Sequence, residues 1–197
     1  MVKKILLILL LPFLVKSQSV EQKKMQWFKD AKLGIFIHWG LYSVNGISES
    51  WAFYNGQISH NEYMKQIEGF TAKNYNPDYW AKLIKESGAK YSVITSKHHE
   101  GFALWDTKFG KLNSMNSAAR KDVLTPFVNA LKENDLKVGI YYSLPDWSYL
   151  DYTDHTRKIK RYKIEDEPKR WDKFLNYYQG QLAELRDNYN PNLWWFD

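Results

Sequence analysis

The chain has 197 residues, of which 44% are hydrophobic and 25% charged, which fits one globular domain and excludes a disordered or fibrous chain. Aromatic residues make up 17%, more than a core of this size needs, and so predict a cleft with flat apolar walls that suit ring-shaped ligands such as sugars. The absence of cysteine excludes disulfides, thiolate metal sites, cysteine nucleophiles and an acylated cysteine anchor.

The first 19 residues have the three-part layout of a secretory signal peptide. Lys3 and Lys4 precede an apolar run over residues 5–15, and small residues follow it. The run is too short to span a bilayer, and as a buried N-terminal helix it would lack a polar face. We therefore predict a cleaved signal peptide over residues 1–19 and one domain over residues 20–197.

The charge of the mature chain argues against a nucleic-acid partner. Cleavage would remove three lysines and no acid, so the formal charge would fall from +6 to +3. The most basic stretch, residues 157–163, is followed by three acids within residues 165–167, which is typical of a solvated loop that neutralises itself. With no lipid-accepting cysteine, we expect a protein without a stable membrane anchor, released to the exterior, a periplasm or a lysosome-like lumen. A homo-oligomer is compatible with the sequence.

The domain alternates between short apolar runs and amphipathic stretches. β-Branched and aromatic runs predict strands buried on both faces, over residues 33–38, 91–96, 138–143 and 193–197. Three helices are predicted between them. One is capped by Asn76 with Pro77 at its first position and ends at Gly88, and one begins at about residue 122 with Pro126 in its first turn. The third carries an apolar stripe over residues 171–185 and stops within residues 188–191.

Repeated strand and helix units predict an α/β fold with a parallel sheet, either a (β/α) barrel or an open doubly wound sheet. The first strand is followed by no glycine-rich phosphate motif, and polar residues end every strand, both of which favour the barrel. Four strands cannot close an eight-stranded barrel. We therefore expect the N-terminal half of a (β/α)8 TIM-like barrel, truncated after the fourth strand.

The polar strand ends would surround one mouth of such a barrel. His38 ends the first strand, the run Lys97-His98-His99 ends the second, Tyr141-Tyr142-Ser143 ends the third and Asp197 ends the fourth. The three histidines suit either a metal or the hydroxyl groups of a sugar, although no histidine and carboxylate spacing typical of a metal motif accompanies them. A single histidine here is often structural, and adjacent His98 and His99 would point to opposite sides unless the chain turns at Glu100-Gly101.

Acidic and aromatic residues follow the strands as well. Glu49 and Trp51 lie in the first loop, where a carboxylate and an indole ring suit a sugar. Glu100 and Asp106, in the second loop, can equally be solvated acids. Asp197 follows an aromatic strand directly, a position that suits a nucleophile for an oxocarbenium-like centre or, alternatively, the cap of a following helix.

Four segments together resemble the retaining α-L-fucosidase family of glycoside hydrolases. They run from Trp27 to Gly40, from Ser96 to Phe102, from Gly139 to Ser143 and from Trp194 to Asp197, in the same order and with similar spacing. The resemblance implies hydrolysis of terminal α-L-fucose from glycans by a double displacement, with no metal and no cofactor, on an N-terminal barrel usually followed by a β-sandwich.

The resemblance also implies roles for particular residues. Asp197 matches the catalytic nucleophile, whereas the substrate-binding positions are His38, Trp39, Glu49, Trp51, His98, His99 and Tyr141. The family's Glu-Trp pair is interrupted here by Ser50, and Glu100 stands where many relatives have Asp. The acid/base residue is expected beyond residue 197, so that this chain alone would be incomplete.

Two other functions remain open at this point. One is a non-catalytic fucose-binding protein that keeps the recognition residues without the acid/base. The other is a metal-dependent hydrolase on the same fold that uses His38, His98 and His99 as ligands.

Overall fold

The computed structural model describes residues 24–197, so the predicted signal peptide lies outside the described residues. Within this range, no helix is long and apolar enough to cross a membrane. A four-stranded sheet forms the centre of the fold, and its strands are β1 (Gly34–Ile37), β2 (Tyr91–Lys97), β3 (Lys137–Tyr142) and β6 (Leu193–Phe196). The helices are α1, which includes residues 24–31, α2 (Trp51–Tyr54), α3 (His60–Met64), α4 (Pro77–Glu86), α5 (Leu124–Glu133) and α6 (Pro168–Tyr189).

The sheet is parallel throughout, in the order β1-β2-β3-β6. This confirms the predicted α/β fold with parallel strands. The four strands and three helices predicted from the sequence are all present, with the Asn76 side chain accepting from the Tyr79 amide at 3.0 Å and Pro126 within the first turn of α5. The helix that carries the apolar stripe over residues 171–185 spans Pro168–Tyr189, and Asn190, which has a left-handed φ of 45°, ends it within the predicted stop.

Several elements are absent from the sequence-based prediction. They are α1, α2, α3, three short 3-10 turns and a small antiparallel hairpin of β4 (Asp154–Thr156) and β5 (Ile159–Lys160). The hairpin lies where the basic stretch predicted a solvated loop. Arg161, within that stretch, is half-buried and donates hydrogen bonds to the carbonyls of Trp147, Tyr152 and Asp154. The Arg161 guanidinium therefore binds backbone carbonyls and is not simply solvated. The prediction of a solvated loop is wrong for this residue.

One face of the sheet packs against α4, α5 and α6. Ile94, Ile140 and Tyr142 from the strands are buried in one cluster with side chains of these helices, including Ile84, Phe127, Leu131, Phe174 and Leu185. Each fully buried side chain of this kind contributes about 1.5–3 kcal/mol relative to exposure. Burial of this face holds the three helices against one side of the sheet. The opposite side of the sheet is therefore available for a site.

The opposite face is strongly concave. The ring centroids of Phe36 on β1 and Trp195 on β6 lie 5.5 Å apart although two strands separate them. In a flat sheet, strands spaced about 4.8 Å apart would place β1 and β6 roughly 14 Å from each other. At the amino end of the same face, Trp27 and Phe28 of α1 pack against Tyr91. The sheet is therefore curled, with aromatic rings filling its inner side.

Candidate active site

The polar strand ends meet at the carboxyl edge of the curled sheet. The Tyr141 hydroxyl donates to Asp197 Oδ2 at 2.7 Å, and His99 Nε2 lies 3.7 Å from the same oxygen. The His98 ring stacks at 5.8 Å and 11° on Tyr141, and the His38 ring lies 5.1 Å from that of His98. Five residues from four strand ends are thus brought into one cluster, as parallel pairing requires of neighbouring carboxyl ends.

His98 and His99 both face this cluster, although adjacent strand residues would point to opposite sides. The pairing of β2 with β3 shifts register between Thr95 and Lys97, and the chain turns directly afterwards. The Gly101 amide donates to the His98 carbonyl at 2.9 Å, and Gly101 has a φ of +83°. The turn allowed for in the sequence therefore occurs, and the two imidazole centroids lie 4.3 Å apart.

Each of the three histidines directs Nδ1 toward the protein. His38 Nδ1 lies 3.3 Å from Glu49 Oε1, His98 Nδ1 lies 2.5 Å from Ser50 Oγ, and His99 Nδ1 lies 2.5 Å from Ser143 Oγ. The two serines are fully buried. Oriented imidazoles of this kind can offer a defined donor or acceptor to a ligand hydroxyl. The sequence marked Ser143 only as a polar strand end and Ser50 only as the residue between Glu49 and Trp51. Neither pattern indicates a histidine partner, because a serine that contacts a distant histidine looks like any other.

The burial of these groups sets their protonation. Desolvation, reinforced by neighbouring His98, lowers the pKa of His99 to about 4, and the same two causes lower the pKa of His38. Burial and the hydrogen bond to Asp197 raise the pKa of Tyr141 well above its usual range, so its hydroxyl stays protonated and donates. At neutral pH the site therefore presents the neutral imidazoles of His38 and His99 and the phenol of Tyr141 beside the Asp197 side chain, a set suited to sugar hydroxyls.

The sequence allowed Glu100, like Asp106, to be either a site residue or a solvated loop acid. Its side chain is fully buried, and its Oε2 lies 3.5 Å from His98 Nδ1. Neither carboxylate oxygen has a hydrogen-bond partner among the described residues. The solvated reading is therefore wrong for Glu100, whereas Asp106 is exposed, as that reading predicts.

An aromatic wall stands beside His99. The ring of Trp51 lies 5.5 Å from the His99 ring, and that of Trp147 lies 4.7 Å from it. The Trp147 amide also donates to the His99 carbonyl at 2.8 Å, and its ring stacks on Tyr54 at 3.8 Å. Trp147 was missed by the sequence analysis because it follows β3 by several residues and belongs to no recognised motif.

Trp39 is placed elsewhere. Its ring packs with Phe70, Tyr75 and Trp80 at centroid distances of 5.1–5.5 Å and borders a separate cavity of about 290 Å³. Its amide donates to Thr95 Oγ1 at 2.8 Å. The structure therefore does not bring the Trp39 ring to the histidine cluster, although its predicted neighbours His38, Glu49 and Trp51 are all there.

A buried ion pair lies at the base of the histidine turn. Lys97 Nζ is 3.1 Å from Asp146 Oδ2, which also accepts from the Tyr177 hydroxyl at 2.8 Å. Desolvation lowers the pKa of Lys97, and the nearby Asp146 carboxylate opposes that shift. Lys97 belongs to the polar run that ends β2, but its side chain is buried against Asp146 and does not face the histidine cluster. Its role is therefore structural: it stabilises the turn.

Three potential metal ligands also converge. One atom each of His98, His99 and Asp197 lie within 4.8 Å of one another, the one such group of three among residues 24–197. The metal-dependent alternative predicted His38, His98 and His99 as ligands. The structure groups His98 and His99 with Asp197 instead of His38. Because Nδ1 of each of the two rings is already held by a serine, Nε2 is the nitrogen left for a ligand.

Carboxylates, oriented imidazoles and indole rings thus gather at the carboxyl edge of a curved parallel sheet, the edge at which α/β folds of this kind bind their ligands. Comparison with known proteins agrees. A family model described as alpha-L-fucosidase matches residues 12–197. The chain belongs to the α-L-fucosidase family.

Curated relatives and solved structures give the extent of the similarity. The chain is 32% identical to an alpha-L-fucosidase of Branchiostoma floridae and 33% identical to the plasma alpha-L-fucosidase of Homo sapiens, each over 91% of the chain but only 42% and 41% of the relative. A crystal structure of an alpha-L-fucosidase from Bacteroides thetaiotaomicron matches with a TM-score of 0.77 and 34% identity over 88% of this chain and 40% of that one. Isoenzyme 1 from Paenibacillus thiaminolyticus matches with a TM-score of 0.79 and 34% identity, over 89% and 43%. The chain thus spans about two fifths of the length of these proteins.

Proposed function

We propose that the full-length protein is a retaining α-L-fucosidase that releases terminal α-L-fucose from glycans. The observation that carries this proposal is the position of Asp197, at the end of the fourth parallel strand with the Tyr141 hydroxyl and His99 Nε2 on the same oxygen. Support also comes from a solved structure of the Bacteroides thetaiotaomicron enzyme as a trapped covalent intermediate with 2-fluoro-fucosyl fluoride, which is 34% identical to this chain with a TM-score of 0.77.

The reaction begins with attack of an Asp197 carboxylate oxygen on the anomeric carbon of fucose. The bond from that carbon to the aglycone oxygen breaks, and a second carboxyl group about 5 Å away gives its proton to the leaving oxygen. The fucosyl ester on Asp197 is then hydrolysed by water, whose proton returns to the second carboxyl group. Net retention follows from two displacements at the same carbon.

The remaining site residues bind and orient the sugar. The half-exposed His38 and Glu49 side chains and the imidazoles of His98 and His99 supply donors and acceptors to the hydroxyl groups. The exposed ring of Trp51 offers an apolar face for the C–H groups of the sugar. The Tyr141 hydroxyl holds the nucleophile in place through its hydrogen bond to Oδ2.

The wider setting is proposed on the same grounds. The curvature that brings Phe36 to Trp195 supports a (β/α)8 barrel of which this sheet is the first half. The layout of residues 1–19 supports a cleaved signal peptide, and with it secretion to the exterior, a periplasm or a lysosome-like lumen.

The test replaces Asp197 in the full-length protein. Asp197→Gly is expected to lower turnover of an aryl α-L-fucoside by about 10⁴-fold, the scale seen when a catalytic nucleophile or its triad partner is removed. In the wild-type protein, 2-fluoro-fucosyl fluoride is expected to add one fluorofucosyl group to the peptide that contains Asp197, as seen by mass spectrometry. Near-normal turnover of the variant would refute the nucleophile assignment.

The same samples separate the other functions. Fucose binding without turnover in the wild-type protein would favour a binding protein. Stoichiometric zinc, together with activity lost to a chelator and restored by zinc, would favour a metal-dependent hydrolase that uses the group formed by His98, His99 and Asp197.

A further inference from the structure

Ser143 follows β3 and is fully buried between His99 and the loop after it. We propose that Ser143 is a positioning residue that fixes the proton of His99 on Nδ1, so that the lone pair of Nε2 faces Asp197. The kinetic consequence of this assignment rests on the proposed function, whereas its structural content does not.

The direction of two hydrogen bonds carries the argument. Ser143 Oγ lies 2.7 Å from the carbonyl oxygen of Pro145 and 2.5 Å from His99 Nδ1. A carbonyl oxygen can only accept, so the single hydroxyl proton of Ser143 goes to Pro145. Ser143 Oγ is then an acceptor toward the imidazole, and His99 Nδ1 must carry the proton.

The protonation of the other ring nitrogen, His99 Nε2, follows from this. Burial and neighbouring His98 keep His99 neutral at neutral pH, and a neutral imidazole carries one proton. Nε2 is therefore an acceptor, 3.7 Å from Asp197 Oδ2, and two acceptors form no hydrogen bond with each other. His99 thus adds no second donor to the Asp197 oxygen that already accepts from the Tyr141 hydroxyl, while a ligand hydroxyl that donates to Nε2 can fit beside it.

The surroundings prevent the ring from exchanging its two nitrogens. Trp51 and Trp147 approach the His99 ring at centroid distances of 5.5 and 4.7 Å, and His98 lies 4.3 Å away. A flip of the imidazole would have to displace these packed rings. Loss of the Ser143 hydroxyl, by contrast, would free the proton to move to Nε2 and donate to Asp197, which would withdraw charge from the attacking oxygen.

The experiment compares the full-length wild-type protein with four variants by histidine ¹⁵N NMR and by kinetics with an aryl α-L-fucoside. Signals of His99 are assigned by their loss in His99→Gln. In the wild-type protein, the proton of His99 is expected on Nδ1, and in Ser143→Ala it is expected to move to Nε2. We expect kcat to fall about 10- to 100-fold in Ser143→Ala, with a smaller change in KM. This is the range typical for loss of a hydrogen-bond partner that orients a histidine in a site.

Two variants control for packing. Ser143→Thr keeps the hydroxyl and should restore the Nδ1 tautomer and most of kcat. Ser92→Ala removes a buried hydroxyl that donates to the Ile35 carbonyl at the other end of β2, and it should change neither reading.

Three results would overturn the assignment: a proton on His99 Nε2 in the wild-type protein, an unchanged tautomer in Ser143→Ala, or a moved tautomer with unchanged kcat. If the wild-type protein lacks fucosidase activity, the proposed function fails while the NMR reading still decides the tautomer. If Ser143→Ala does not fold, the spectra of the wild-type protein and of Ser143→Thr decide it.

Discussion

Lys97 Nζ lies 3.1 Å from Asp146 Oδ2 with both side chains buried, immediately before the two histidines of the site. The Lys97 ammonium also lies over the rings of Tyr142 and Tyr177, at 4.5 and 5.1 Å from their centroids. The pair joins the end of β2 to the loop after β3. It thereby holds together the two loops that supply His99 and Ser143.

Removing one partner of this pair should destabilise the protein. Asp146→Ala leaves a buried ammonium without its carboxylate, and we expect a loss of about 3–5 kcal/mol in the free energy of unfolding measured in urea. Lys82→Ala is the control, since it breaks an exposed helical pair of 3.8 Å with Glu86 and should cost less than about 0.5 kcal/mol. Equal losses in the two variants would contradict the structural role of Asp146.

Gly101 should tolerate no side chain. Its φ of +83° disfavours other residues, and a Cβ there would lie 2.3 Å from Asp146 Oδ1. We expect Gly101→Ala to destabilise the protein by more than Gly46→Ala, which has a φ of +62° but open space around it. The control should show backbone strain alone, about 1–2 kcal/mol. Similar thermal unfolding of the two variants would argue against a steric conflict at Asp146.

Tyr141→Phe should weaken catalysis in the full-length protein without altering the fold. The variant loses one hydrogen bond to the Asp197 carboxylate, which is worth about 1.5–3 kcal/mol, so kcat/KM for an aryl α-L-fucoside should fall about 10- to 150-fold. Tyr75→Phe removes a hydroxyl that donates to the Val123 carbonyl away from the site, and its kcat/KM should be unchanged. Full activity of Tyr141→Phe would mean that Asp197 does not need this donor.

Acid should destabilise the protein through its buried histidines. Burial lowers the pKa of both His60 and His99 to about 4, whereas an unfolded histidine titrates near 6.5. Between these values the unfolded chain binds more protons, so stability is lost as pH falls from about 6.5 toward 4. We expect urea midpoints to decline over this range in the wild-type protein and to decline less in His99→Gln and His60→Gln. An identical decline in all three would show that other groups carry the acid sensitivity.

The sequence predicts this fold well because its signals are local. Short apolar runs and caps such as Asn76-Pro77 depend on neighbours in the chain, and each strand and long helix that they predict is present. The short helices α2 and α3 and the β4–β5 hairpin have only two to five residues per element, too few for a periodic pattern to show.

The site was also predictable only in part. Strand ends could be predicted to meet, since parallel pairing brings them to one edge, but the partners of each side chain could not. Ser143 is 44 residues from His99, and Asp146 is 49 residues from Lys97. The direction of the Trp39 ring was equally hidden, because a tryptophan beside a site histidine fits either a sugar or a core.

The aromatic filling of the curled sheet decides how a ligand gains access. Trp27 and Phe28 cover Tyr91 at the amino end, and Phe36 meets Trp195 across the middle of the concave face. These rings occupy the concave face between its amino end and the imidazoles, so a ligand held by the imidazoles would rest on an aromatic floor and reach them from the carboxyl edge of the sheet.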